Sequence, residues 1–142
     1  MSASPPTGHD LALDGENRLL PLSRDELGTL VATAQARQRR IFELSLAGLS
    51  DKASILDALA QCFDMPRWFG HNWDALYDCL TDLSWLPASG YVLILLDAAP
   101  DSDSAPILTD ILTDCCEHWQ AQGVPFHVFS DGVHGTVIPR EH

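Results

Sequence analysis

Three aspartates in the middle of the chain are spaced so that their carboxylates can act together. Asp74, Asp78 and Asp82 follow one another at steps of four, which places them on one face of a helix. Like charges at this spacing destabilise a helix by about 0.2–0.5 kcal/mol per pair, and no Lys or Arg lies among them. Because such a face is hard to explain by folding, we interpret it as a surface that attracts cations.

The residues around these aspartates predict a loop that enters a helix. Pro66 and Gly70 interrupt regular structure, and Asn72 is a candidate N-cap, whose side chain accepts an early helix N–H. Apolar side chains then recur at helical spacing and predict a buried stripe. The stripe consists of Trp73, Leu76, Leu80 and Leu83.

Aromatic residues accompany the carboxylates. Trp68, Phe69 and Tyr77 lie within one or two turns of the aspartates, and exposed rings are costly unless a partner covers them. A rigid anionic ridge with aromatic flanks is the surface expected to receive the basic cleft of another protein. The alternative is a solvated helix face whose aromatic residues belong to the core.

The same stretch resembles the barstar family of intracellular inhibitors of barnase-type ribonucleases. The resemblance is carried by the residues Trp68-Phe69-Gly70-x-Asn72 and by the run Asp-Ala-Leu-Tyr-Asp-Cys-Leu-Thr from Asp74 to Thr81. In that family these positions form the binding loop and the second helix. The likeness extends more loosely from residue 41 to residue 130.

The resemblance implies an inhibitor that occludes an active site, and not an enzyme. Asp78 would occupy the phosphate site of the nuclease, and Asp74 would support it. The implied partner is a basic ribonuclease of the extracellular or toxin type, bound 1:1 by a chain that is otherwise a monomer, as in the immunity protein of a toxin pair. No catalytic residue, metal or cofactor is implied. The implied partner-binding residues are Trp68, Phe69, Gly70, His71, Asn72, Asp74, Tyr77, Asp78, Thr81, Asp82, Glu117 and His118.

Two histidines depart from the family's pattern. The family has a further contact acid on its last long helix, and the matching position here is His118, with Glu117 beside it. His71 stands where an acid is frequent. These differences leave open whether the inhibited enzyme is barnase itself, a cognate toxin, or a nuclease with altered recognition.

The charge distribution excludes several classes of partner. The net charge is −12, and residues 68–139 contain ten acids and no Lys or Arg. Such a field repels nucleic acid and attracts cationic proteins. One predicted helix ends in a cluster of three arginines, Arg37, Arg39 and Arg40, whose charges complement the helix dipole. The alternative is that this cluster binds nucleic acid. No apolar run approaches the roughly 20 residues of a membrane span.

The cysteines and the remaining motifs point to a reduced, metal-free protein. Cys62, Cys79, Cys115 and Cys116 lack the spacing of a disulfide framework, so we predict free thiols and a cytoplasmic location. Residues 1–17 lack the features of a secretory signal.

Other functions have weaker support in the sequence. An acidic module that binds a basic protein other than a nuclease remains open. So does a metal-assisted enzyme built on His71, Asp74 and Asp78. A metal site at Cys115, Cys116 and His118 is disfavoured, because adjacent helical residues point about 100° apart.

Strand and helix patterns alternate along the chain, which predicts an α/β fold with parallel pairing. We predict a small three-stranded parallel sheet flanked by helices, with an extra N-terminal helix. A fourth strand at residues 18–22 is an alternative, and Pro21 would confine it to an edge. The predicted strands cover residues 41–46, 91–96 and 125–129, and the predicted helices about 23–38, 51–63, 73–85 and 105–123. The predicted organisation is a flexible tail (1–16), an N-terminal extension (17–40), a barstar-like domain (41–130) and a C-terminal tail (131–142).

Overall fold

A parallel sheet of four strands organises the structure. The computed structural model describes residues 12–49, 51–66, 69–97 and 104–131. Its strands are β1 (Leu19–Pro21), β2 (Arg40–Ser45), β3 (Tyr91–Leu96) and β4 (Phe126–Ser130). They lie in the order β1-β4-β3-β2, and every neighbouring pair is parallel.

Helices cover both faces of this sheet. A 3₁₀ helix (Arg24–Glu26) leads into α1 (Leu27–Ala36) on one face. On the other face lie α2 (Lys52–Cys62), α3 (Trp73–Leu80) and α4 (Ser104–Ala121). All six residues of β3 are buried, as predicted from its continuous apolar run. Within the described residues, no helix is both long and apolar enough to cross a lipid bilayer.

The prediction of three strands is wrong, because the N-terminal extension adds β1 to the sheet. β1 pairs with β4 from Leu19↔Val128 to Pro21↔Ser130. Pro21 lacks an N–H donor and is tolerated because β1 is an edge strand. The alternative of a short strand at residues 18–22 is therefore the correct one.

The N-terminal extension also supplies a second hydrophobic core, on the α1 face of the sheet. This core consists of Leu13, Leu22, Leu30, Ala34, Val92, Ile94, Leu96 and Phe129. Leu13 is only 1% exposed and Ala12 packs beside it, although both residues lie in the predicted flexible tail. Residues 1–11 of that tail, and residues 132–142 of the C-terminal one, lie outside the described residues.

Asn17 fastens this N-terminal segment to α4 and β4. Its Nδ2 donates to the carbonyl oxygens of Cys116 (3.2 Å) and Val124 (2.9 Å). Its Oδ1 accepts from the N–H of Phe126 at 2.9 Å, and its own N–H donates to Oε1 of Gln120 at 2.8 Å. One asparagine thus joins the extension to the last crossover of the sheet.

The larger core lies between the sheet and helices α2, α3 and α4. Two indoles connect elements across it: Trp85 Nε1 donates to the carbonyl of Phe63 at 2.9 Å, and Trp119 Nε1 to that of Leu80 at 2.8 Å. The second bond ties α4 to the C-terminal end of α3, where helix carbonyls lack intrahelical partners. This bond helps to set the position of α4 relative to α3.

All four cysteines are free thiols, as predicted. Burial raises the pKa of Cys62 to about 11 and that of Cys116 to about 12, and it also raises the pKa of Cys115. Because the thiolate is the reactive form, this burial makes the three thiols poor nucleophiles near neutral pH.

One histidine is completely buried beside backbone carbonyl groups. His127 is 0% exposed, and its Nε2 lies 3.1 Å from the carbonyl oxygen of Glu16 and 3.3 Å from that of Gly15. Burial is the main cause of a lowered pKa of His127, and the positive charge of Arg39 lowers this pKa further. The two carbonyl groups and Asp14 raise the pKa, but their combined effect is smaller. The folded protein therefore resists protonation at this site.

We expect the free energy of unfolding to decrease as the pH falls below about 6.5, the ordinary histidine pKa. Below that pH the unfolded chain binds a proton that folded His127 does not, so acid favours unfolding, and above it the contribution is complete. Urea unfolding between pH 7.5 and pH 5 measures the slope. His127→Gln should give a shallower slope, and identical slopes for the two proteins would contradict this role.

Candidate functional site

The helix that carries the central aspartates begins where the sequence predicts. Oδ1 of Asn72 accepts the N–H of Ala75 at 2.7 Å, which satisfies one of the free donors at the start of α3. The preceding residue, His71, has φ of +50°, in the left-handed region that histidine enters more readily than most side chains. This residue turns the loop sharply into the helix.

Asp74 and Asp78 lie one turn apart on the exposed side of α3, as predicted. The opposite side is buried through Leu76, Cys79 and Leu80. The core therefore holds the helix while the two carboxylates face solvent.

The prediction that Asp82 shares this helix face is wrong. α3 ends at Leu80 with Thr81 as its C-cap, and not near Trp85. Leu83 then adopts φ of +48° while remaining 1% exposed. The chain leaves the helix so that Leu83 enters the core, and Asp82 lies in the resulting turn.

The aromatic residues of the motif have different environments. Phe69 is 5% exposed and belongs to the core, so the prediction of an exposed ring there is wrong. Its ring packs against the ring of His71, with centroids 4.7 Å apart, and so connects the loop to the core. Trp73 and Tyr77 are half-buried against the core, and Trp68 lies outside the described residues.

The exposed side of α3 and the neighbouring side of α4 form a groove of about 490 Å³. The lining residues are Trp73, Asp74, Tyr77 and Asp78 from α3, with Ile107, Asp110, Ile111 and Asp114 from α4. Both helices thus contribute a pair of aspartates four residues apart. Burial, together with the negative charges of Asp114, Asp78 and Glu117, raises the pKa of Tyr77, so its phenol is neutral.

Sequence reasoning missed the α4 side of this groove. The signal was present, because Asp110 and Asp114 repeat the spacing of Asp74 and Asp78. Ile107 fits the apolar pattern of α4, yet it is 41% exposed. Leu108, Leu112 and Cys115 occupy the buried side of α4, and Ile107 lies about 100° away from Leu108 around the helix, at the groove.

The model of the family described as Barstar (barnase inhibitor) matches residues 39–131. The chain belongs to the barstar family. This is a family of inhibitors that bind barnase-type ribonucleases. The matched residues contain α2, α3, α4 and three strands, and therefore both sides of the groove, whereas β1 and α1 lie outside them. No curated protein sequence gives a match.

The other residues that the barstar resemblance singles out lie at the ends of α3 and on α4. Oγ1 of Thr81 donates to the carbonyl of Tyr77 at 2.7 Å. Gly70 is exposed, and a Cβ there would lie 3.1 Å from Nδ2 of Asn72, so a side chain would press on the helix cap. On α4, Glu117 is exposed and His118 is half-buried, its ring edge-on to that of Trp119 with centroids 5.4 Å apart.

His71 faces α2 rather than the central aspartates of the barstar motif. Its Nε2 lies 3.9 Å from Oδ1 of Asp57, and its Nδ1 lies 3.2 Å from the carbonyl oxygen of Phe69. Across the described part of the chain, no three His, Cys, Asp or Glu side chains are arranged to hold a metal ion. The suggested cluster of His71, Asp74 and Asp78 is not assembled there.

The charges of this barstar-family protein are segregated. Near the N-terminal extension, Arg24 forms ion pairs with Asp97 and Asp131, and Arg37 forms one with Asp14 at 2.7 Å. The groove lies in the part of the chain that contains no Lys or Arg between residues 68 and 139. It therefore produces a negative potential that attracts cations.

Proposed function

We propose that this protein inhibits a basic, RNA-cleaving ribonuclease of the barnase type by blocking its active site with α3. The observation that carries the proposal is the placement of Asp74 and Asp78 on the exposed side of a helix anchored in the core, in a chain of the barstar family. Such a nuclease must present Lys, Arg and His side chains where RNA phosphates bind. The carboxylate of Asp78 would take the place of a phosphate, and charge-assisted hydrogen bonds would hold it.

The rigidity of α3 supports this mechanism. Asn72 caps the start of the helix, and Trp119 binds the carbonyl of Leu80 at its end. Because the helix that carries the carboxylates is held in place before the partner arrives, its backbone loses little conformational entropy on binding. Inhibition is therefore occlusion, and it requires no catalytic residue, cofactor or metal.

The biological setting of the proposal follows from the same chemistry. Free buried thiols suit a reducing compartment, so we place the protein in the cytoplasm. There it would act as a monomer that binds one nuclease molecule, as the immunity protein of a toxin pair or as a guard against the cell's own secreted enzyme. Direct contact with nucleic acid or membrane is not part of the proposal.

The protein should inhibit at least one barnase-type ribonuclease at a 1:1 ratio, with an association rate that depends on salt. Titration of barnase and related basic ribonucleases against a fluorogenic RNA substrate measures the stoichiometry. The Debye length shrinks from about 10 Å at 0.1 M salt to about 3 Å at 1 M, so the association rate constant should fall by roughly tenfold or more, while the dissociation rate constant changes less. Absence of inhibition across the panel would refute the proposal.

A second candidate is an acidic module for a basic partner that is not a nuclease. The half-buried His118 favours it, because the barstar resemblance implies an acid at that position. Binding of a basic protein without ribonuclease activity, such as cytochrome c, would then match or exceed binding of the ribonucleases. A preference for the ribonucleases of a hundredfold or more would reject this candidate.

A further inference from the structure

Ile107 is a large apolar side chain left open to solvent beside the proposed inhibitory surface. It is 41% exposed and lies one turn from the start of α4, on the groove side. Among the residues that the structure describes, no other large apolar side chain is exposed to this degree. An apolar side chain at a concave surface gains free energy when a partner covers it.

The groove offers this side chain a matching environment. The groove has a volume of about 490 Å³, and half-buried Trp73, Tyr77 and Ile111 extend the apolar surface around Ile107. Aspartates stand on both sides, with Asp78 on α3 and Asp114 on α4 among them. Apolar surface between carboxylates is complementary to a long side chain with an apolar stem and a cationic head.

We propose that the nuclease partner inserts a basic segment into this groove, with an aliphatic or aromatic side chain against Ile107 and an Arg or Lys between Asp78 and Asp114. The inference rests on the proposed function, and it extends the contact surface from α3 to the first half of α4. The negative charge of the groove favours a basic partner. A second copy of this chain has a net charge of −12 and would be repelled, as would nucleic acid.

Ile107→Ala and Asp114→Asn test the groove separately from α3. The probe is the barnase-type ribonuclease that the wild-type protein inhibits most strongly. Ile107→Ala should raise its dissociation rate constant by about five- to thirtyfold, as expected when an apolar side chain that the partner covers is truncated. Asp114→Asn should lower the association rate constant by about two- to threefold and also speed dissociation. Glu43→Gln, on the exposed edge of β2, removes the same charge away from the groove and should leave dissociation unchanged.

Asp78→Ala, measured in parallel, separates failure of this inference from failure of the proposed function. If Asp78→Ala loses inhibition while both groove variants behave like the wild type, the groove is not used and the inference is overturned, although the proposed function stands. If Asp78→Ala also inhibits like the wild type, both are overturned. Urea unfolding of each variant verifies that the compared proteins are folded. If Ile107→Ala proves unstable, the dissociation rate constant of Asp114→Asn still tests whether the partner contacts the groove.

Discussion

Asp78→Ala should raise the inhibition constant for the nuclease by roughly thirtyfold to several thousandfold. In the proposed complex this carboxylate meets the cations of a phosphate site, and the alanine variant leaves those cations buried without a partner. Removal of one member of such a pair costs about 2–5 kcal/mol, mainly through faster dissociation. Stopped-flow association and dissociation experiments with the inhibited ribonuclease measure both rate constants.

Two variants separate the charge of Asp78 from its position. Asp78→Asn keeps the shape of the side chain, so a loss close to that of alanine would assign the effect to charge. Asp82→Ala removes an exposed carboxylate in the turn beyond α3 and should cost less than about 1 kcal/mol. Equal losses for Asp78→Ala and Asp82→Ala would mean that general acidity, and not the phosphate-site contact, determines binding.

The folded state of Asp78→Ala should be as stable as the wild type or slightly more so. Asp74 lies one turn before Asp78 on the same exposed side, and loss of one like charge relieves about 0.2–0.5 kcal/mol of repulsion. Urea unfolding provides this comparison. A large decrease in the free energy of unfolding would give Asp78 a structural role and weaken its assignment as a contact residue.

Leu30→Ala should lower the free energy of unfolding by about 2–5 kcal/mol. Leu30 lies on α1, is 0% exposed, and belongs to the second core. A loss of this size is a large share of the 5–15 kcal/mol that stabilises a typical domain. Leu56 on α2 is equally buried in the larger core, and Leu56→Ala should lower the free energy of unfolding by a similar amount. Thr29→Ala, on the exposed side of α1, should change it little.

The choice of spectroscopic signal makes this prediction informative about the N-terminal extension. Three tryptophans, Trp73, Trp85 and Trp119, pack against the larger core. This core lies on the opposite side of the sheet from Leu30. If both cores unfold as one unit, Leu30→Ala shifts the urea midpoint of tryptophan fluorescence as much as that of far-UV circular dichroism. A fluorescence transition that does not move would show that the extension unfolds independently of the barstar-family domain.

The parts of the fold that were predictable carry strong local signals. The continuous apolar run of β3 identified a strand covered on both faces, and Asn72 marked the start of α3 through its capping side chain. The two exposed aspartates followed from helical geometry. Each of these depends on a few consecutive residues, so the sequence alone suffices.

The remaining features depend on distant contacts. β1 has only three residues, and its pairing with β4 defines it. Phe69 is buried because the loop folds back onto the core, and Asp82 leaves the helix because Leu83 turns inward. Ile107 fits the apolar pattern of α4, and only the position of α3 shows that it faces a groove.

The pairing of β1 with β4 has a consequence for the order of events during synthesis. Leu19 pairs with Val128, so β1 leaves the ribosome long before the strand with which it pairs. Closing so long a segment costs chain entropy, and such non-local contacts slow folding. In the proposed function, an inhibitor that requires the complete sheet becomes active only once β4 has been synthesised.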